Sequence, residues 1–254
     1  MTKHTCVTPE RDGLYVGYLP APRSSKRAAI LAGTFLLVWI GSMSLVFAAM
    51  MRDPGNATWD SGQIRTWEGR IAMTPYPMLI SESEPSEVRL VVAMGKHGVH
   101  DRLRAFDGTH VLLEGWRLMR DGRAMIELAP EDNAIIMIEP GTGARPSAYQ
   151  DPKAFDQTGE IVDGKCYLGA MKPGDGIGHR ACAILCIQGG LPPMFAYTDE
   201  DKTTRFALLV VDGSTTLPEP VLGLAGRSVR VRGECVQMGT LEVLHANASG
   251  ITIE

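Results

Sequence analysis

From Ala28 to Met51 the chain runs for 24 residues without a charged side chain, AAILAGTFLLVWIGSMSLVFAAMM. As a helix it would be about 36 Å long, enough to cross the hydrocarbon layer of a bilayer. Arg23, Lys26 and Arg27 stand just before it, and Arg52 and Asp53 follow at once. The tail 1–27 holds five basic residues (Lys3, Arg11, Arg23, Lys26, Arg27) against Glu10 and Asp12. That bias predicts a cytoplasmic N-terminus, with everything after Met51 on the other side. A cleaved signal peptide is the competing reading, with Phe47-Ala48-Ala49 as the nearest approach to a cleavage site. Its apolar core is usually shorter, so the segment 28–51 reads as a single transmembrane helix.

Beyond Met51 about 200 residues remain, room for one large domain or two small ones. Of the chain's 25 basic and 29 acidic residues, 20 and 27 lie outside the tail, so this part carries about seven net negative charges. Such a surface does not suit nucleic acid or anionic lipid. The sequence contains no Walker A loop, GxSxG elbow, HExxH or GxGxxG.

The region beyond the helix carries a weak internal repeat. Glu68-Gly-Arg-Ile-Ala is matched by Thr158-Gly-Glu-Ile-Val, and the apolar run Val88-Arg-Leu-Val-Val-Ala by Phe206-Ala-Leu-Leu-Val-Val. Each copy then has a turn (Phe106-Asp-Gly-Thr-His; Leu224-Ala-Gly-Arg-Ser) and an alternating strand (Val111-Leu-Leu-Glu-Gly; Val229-Arg-Val-Arg-Gly). A hairpin partner follows (Ala124-Met-Ile-Glu-Leu; Leu241-Glu-Val-Leu), then a short closing strand (Ala134-Ile-Ile-Met-Ile; Gly250-Ile-Thr-Ile). Arg120-Asp-Gly and Met238-Gly are hairpin turns. About five short strands with one helical excursion per unit predict a small Greek-key barrel of the OB type; a single β-sandwich is the alternative. The expected fold is therefore mainly β: a transmembrane helix, then two tandem OB-like barrels over 52–140 and 157–254. The Pro/Gly/Ser-rich stretch 141–156 reads as a linker across which few contacts should run.

The second copy has an insertion that the first lacks, from Val162 to Pro193. His179 to Gln188 is helix-compatible and is stopped by Gly189-Gly190. On that helix His179, Cys182 and Cys186 stand at i, i+3 and i+7 and share a face. The glycine-rich loop before it can return Cys166 to the same face. Three thiols and an imidazole are the inventory of a closed tetrahedral zinc site. Disulfides among Cys166, Cys182, Cys186 and Cys235 compete with it in an oxidising compartment, and so does simple burial of small apolar residues. Cys235 alternates with Val229 and Val231, which predicts a core-facing side chain. Cys6 lies in the tail, where a disulfide would not persist.

The run Cys166…His179-Arg-Ala-Cys182-Ala-Ile-Leu-Cys186-Ile-Gln-Gly-Gly-Leu-Pro-Pro resembles a motif of poorly characterised bacterial membrane-anchored exported proteins. These carry C…HxxCAxxC…GGxPP in an OB-like domain. Tyr15-Val-Gly-Tyr-Leu-Pro and Trp67-Glu-Gly are similar to their longer members. The resemblance implies a bacterial inner-membrane location and the β-fold, and it brings no activity. A Rieske centre is excluded, because position 168 is Leu where Cys-x-His is required. No Cys-x-x-Cys-His haem attachment occurs. His97, His100 and His110 read as solvated, and Met73, Met78, Met94, Met119, Met125 and Met137 as core filling.

With a tether, a β-scaffold and no convergent acid, base and nucleophile, the expectation is a non-catalytic accessory or assembly subunit. Its partner would be a membrane-embedded, respiratory or other redox complex, with the barrels in the periplasm and no nucleic acid bound. A periplasmic metal or haem chaperone is one rival, and a thiol-based redox protein using Cys182 another.

Overall fold

A computed structural model describes residues 23–50, 55–81, 83, 86–141 and 151–254. Most of the tail with Cys6, the charged pair Arg52 and Asp53, and 142–150 of the expected linker lie outside the described residues.

The N-terminal segment is one helix, α1 (Arg23–Met50), of 28 residues with mean hydropathy 2.1 over its most apolar window. It starts a turn earlier than expected, so Arg23, Lys26 and Arg27 belong to it. No residue of α1 is buried by the protein. Leu, Ile, Val, Phe and Trp therefore face outward on every side, as in a helix whose solvent is lipid. Its length and composition are compatible with a membrane anchor or a signal sequence.

The rest of the chain forms a separate compact unit. Its first half comprises β1 (Thr58–Trp59), β2 (Arg65–Ala72), β3 (Met78–Ile80), β4 (Val88–Val92), a short helix α2 (His100–Leu103), β5 (His110–Arg120), β6 (Arg123–Leu128) and β7 (Ile135–Glu139). The second half comprises β8 (Lys153–Asp163), α3 (Arg180–Gln188), β9 (Pro193–Thr198), β10 (Thr204–Val211), α4 (Glu219–Leu222), β11 (Ser228–Met238) and β12 (Leu241–Ile253).

Two closed five-stranded barrels result. In the first, β2, β3, β4, β6 and β5 pair in that order and β5 returns to β2. In the second, β8, β9, β10, β12 and β11 do the same. In each, the only parallel contact is the third strand with the fifth, β4–β6 and β10–β12. This is the OB-type order expected from the repeat. The repeat extends to single residues. Gly69 and Gly159 both lie where an added Cβ would come within 2.4 Å of a carbonyl oxygen on the neighbouring strand.

The equivalents of the two closing strands differ in continuity. β7 pairs with the start of β5, whereas in the second barrel the end of β12 makes that contact without a break. β12 spans the difference through a bulge opposite Val231 and Gly233. The irregularity gives β12 three more residues than β11 between these points, an odd number, so the inward-facing set on β12 changes from Leu244 and Ala246 to Ile251. Val229 and Val231 are buried before it, Val236 and Met238 after it. Cys235 pairs with Leu244, a core residue of the second barrel, and so keeps the core-facing side that its alternation with Val229 and Val231 predicts, half-buried there.

Each barrel has its own apolar centre. Ile71, Val91, Leu113 and Ile126 fill the first, and Ile161, Phe195, Leu209 and Val231 the second. A third buried cluster lies between the barrels and joins Met78, Leu90, Leu118 and Met125 to Met194, Phe206, Leu208 and Val243. The expectation of few contacts across the linker is therefore corrected. β4 and β10 are buried on both faces, one inside their own barrel and one against the other barrel. That double burial is why both read as continuous apolar runs. Arg123 crosses the same interface, donating to the Phe206 carbonyl and to Glu242, each at 2.6 Å.

A candidate metal centre between the barrels

The two barrels differ most in the loop between their first and second strands. It spans 73–77 in the first and 164–192 in the second. The long loop opens with a π-helical turn, Cys166–Ala170, whose first four residues are buried. It then forms α3, bounded by His179 and Gly189 as the sequence predicts. Gly189 has a further task. A Cβ there would fall 1.8 Å from the Lys96 carbonyl oxygen, and Gly189 itself accepts a 2.8 Å hydrogen bond from the Gly98 N–H. Only glycine allows the loop after β4 in the first barrel to approach this closely.

That approach completes the site. Cys166, His179 and Cys182 present ligand atoms all within 4.8 Å of one another, and so do Asp163, Cys166 and Cys186. The Cys182 and Cys186 sulfurs are 3.9 Å apart. Donors around a tetrahedral zinc lie roughly 3.8 Å apart, which the Cys182 and Cys186 sulfurs match, and Cys166 belongs to both groups. The Asp163 carboxylate is fully buried and divides its two oxygens. Oδ2 is 3.0 Å from His179 Nε2, and Oδ1 accepts the Cys166 backbone N–H at 2.8 Å. With Nε2 so engaged, Nδ1 is the ring nitrogen left to ligate, and a carboxylate holding the other ring nitrogen is the usual orienting device at such centres.

The electrostatics favour a thiolate at Cys186. A hydrogen bond from Cys166 lowers the Cys186 thiol to about 7 against the opposing effect of burial, with help from the Lys96 ammonium. Cys166, as the donor, is driven strongly upward by that same bond and by burial. The Asp163 hydrogen bond raises the His179 imidazole. Lys96, reaching in from the first barrel, lies 2.7 Å from Cys182 Sγ and 3.5 Å from Cys186 Sγ. The bond to Cys182 holds its ammonium protonated.

A second lysine is wholly enclosed. Lys165 Nζ donates to Glu127 Oε1 at 2.8 Å and to the carbonyls of Ala93 and Gly95 at 2.9 and 2.8 Å. It anchors the insertion of the second barrel to the wall of the first. A cleft of about 300 Å³ is lined by Lys96, Lys165, Cys166, Cys182 and Cys186 together with Trp59, Met94 and Met171.

The structure thus brings together Cys166, His179, Cys182 and Cys186. Cys235 stays apart, beside Glu242, Arg123 and Lys153. All four of these cysteines are free thiols. Among the described residues no disulfide is formed: the Cys182 and Cys186 sulfurs are 3.9 Å apart, and Cys235 sits in another environment. Sequence reasoning missed Asp163, Lys96, Lys165 and Glu127. Asp163 stands three residues before Cys166, and that proximity was the available signal. The other three reach the site only through the packing of one barrel on the other. His100, expected to be solvated, is half-buried edge-on to Tyr76 with ring centroids 5.0 Å apart. Burial lowers its pKa.

Neither protein-family models, curated proteins nor solved structures return a match to this chain.

Proposed function

We propose that the chain is a membrane-anchored, non-catalytic accessory or assembly subunit whose β unit holds one metal ion at Cys166, His179, Cys182 and Cys186. Zinc is the ion the donor set suits. Three thiolates and one oriented imidazole satisfy its tetrahedral preference, and zinc there would supply a structural clasp. The observation that carries this reading is the pair of overlapping donor groups, Cys166–His179–Cys182 and Asp163–Cys166–Cys186, at a point where both barrels meet.

In this reading α1 spans the bacterial inner membrane with its basic end in the cytoplasm. The barrels stand in the periplasm and dock on a membrane-embedded complex of respiratory or other redox type. What supports this is the uncharged helix with its basic flank, and the investment of the buried carboxylates in positioning. Asp163 orients His179 and Glu127 neutralises Lys165.

Full-length protein purified in mild detergent should contain about one zinc per chain, and chelation should lower its thermal midpoint. A metal-free protein, fully folded and with four reactive thiols, would overturn the reading. An alkaline phosphatase fusion after Glu254 should be active; an inactive fusion would contradict the orientation. One observation favours a second reading, a thiol-based redox protein using Cys182. Lys96 lies 2.7 Å from its sulfur, and an adjacent ammonium stabilises a thiolate. Thiol-oxidoreductase turnover that disappears in Cys182→Ser would select it.

A further inference from the structure

Methionine is used in two distinct ways in the β unit. Met78, Met125, Met194 and Met238 are 0–2% exposed and fill the core. Met94 and Met171 are 48% and 46% exposed, and both line the cleft in front of the thiols. Core filling does not account for them. They come from different barrels, Met94 from the loop after β4 and Met171 from the end of the π-helical turn, and both line the cleft, as Trp59 does. The half-exposed thiol of Cys182 lies in the same cleft, with Cys186 and Cys166 behind it.

The donors at the cleft are therefore soft. The one carboxylate on its wall, Glu127, is 1% exposed and committed to Lys165. Thioether and thiolate sulfurs without accessible oxygen donors select monovalent copper over magnesium, calcium or manganese. Charge points the same way. Lys96 and Lys165 both face the cleft, and at a given distance a monovalent ion meets half the repulsion that a divalent ion does. Cys182, only half-buried, gives an ion a route from solvent to the cluster.

We propose that the cleft is an entry port for Cu(I), with the Met94 and Met171 thioethers as its first donors and Cys182 as the group that passes the ion to the inner thiols. This inference rests on the reading of the Cys/His cluster as a metal site. Each thiol that ligates the ion gives its proton to solvent. Copper stays monovalent throughout, so no oxidant or reductant takes part.

The test uses full-length protein in detergent micelles, without oxygen, and Cu(I) supplied as its coloured bicinchoninate complex. Wild-type protein should withdraw one Cu(I) per chain. The M94L/M171L double variant should reach the same stoichiometry with a rate lower by about tenfold, the size of effect typical of groups that assist a metal site from outside. These substitutions conserve volume at half-exposed positions, so folding is preserved. Cys182→Ser should withdraw no copper. An unchanged transfer rate in the double variant would overturn the port. So would zinc-loaded protein that leaves all copper with bicinchoninate, which spares the metal-site reading. Protein that takes neither ion would overturn both.

Discussion

The two barrels share strand order, a parallel third-to-fifth contact and a glycine at the same place in the first strand, yet the thiols and imidazole of the Cys/His cluster all come from one of them. The difference sits in one loop, 73–77 against 164–192. The short loop still takes part, because Tyr76 is buried and donates its hydroxyl to the Gly190 carbonyl at 2.8 Å. The first barrel is thus the wall against which the second barrel's insertion folds, and it supplies Lys96 and Glu127 to the site. Duplication here divides labour: one copy elaborates a loop and the other keeps the surface that shapes it.

If that interdependence holds, the barrels cannot unfold separately. Phe206→Ala removes a ring that is 2% exposed, packed edge-on to Tyr167 and covered by Arg123. It should cost about 3–5 kcal/mol and lower one cooperative transition. Two resolved transitions in calorimetry, only one of them shifted, would break the comparison.

Lys165→Met sharpens it. The change strands the Glu127 carboxylate, 1% exposed, and should cost about 3–5 kcal/mol. K165M/E127L, which removes both charges, should recover most of that loss in a double-mutant cycle. Additive losses would mean that the ion pair does not clamp the insertion to the first barrel.

At the small end is Asp156→Asn on the open side of the second barrel. Hydrogen bonds from Arg230, then Arg232, hold that carboxyl below its usual range. A depressed carboxylate stabilises above its unfolded pKa and loses the contribution as pH falls through the folded one. The ion pairs are exposed, so the midpoint at neutral pH should scarcely move and the difference should vanish in high salt. A large shift here would show that the second barrel's outer face is not the passive side.

Much of this was legible in the chain. Alternation and turn residues gave the strands, and the Gly189-Gly190 stop with the i, i+3, i+7 spacing gave α3 and its shared face. What escaped was set by tertiary packing. The runs Val88–Val92 and Phe206–Val211 showed strands but also, by their lack of alternation, burial on both faces; that second message predicts the joined barrels. A bulge opposite Val231 and Gly233 lets β12 do in one strand what β6 and β7 share in the first barrel, and no local residue pattern announces it. Lys96 is about 70 residues from Lys165 and 86 from Cys182 in sequence, so only the docked barrels bring the three together.

The central claim is that one metal ion joins three thiols and one imidazole at the barrel junction. X-ray absorption at the zinc edge of the full-length protein tests it most directly. The account predicts three sulfur neighbours at about 2.3 Å and one nitrogen at about 2.0 Å, with the sulfur count falling to two in Cys186→Ser. A shell of oxygen and nitrogen alone, or a sulfur count unchanged in that variant, would contradict it.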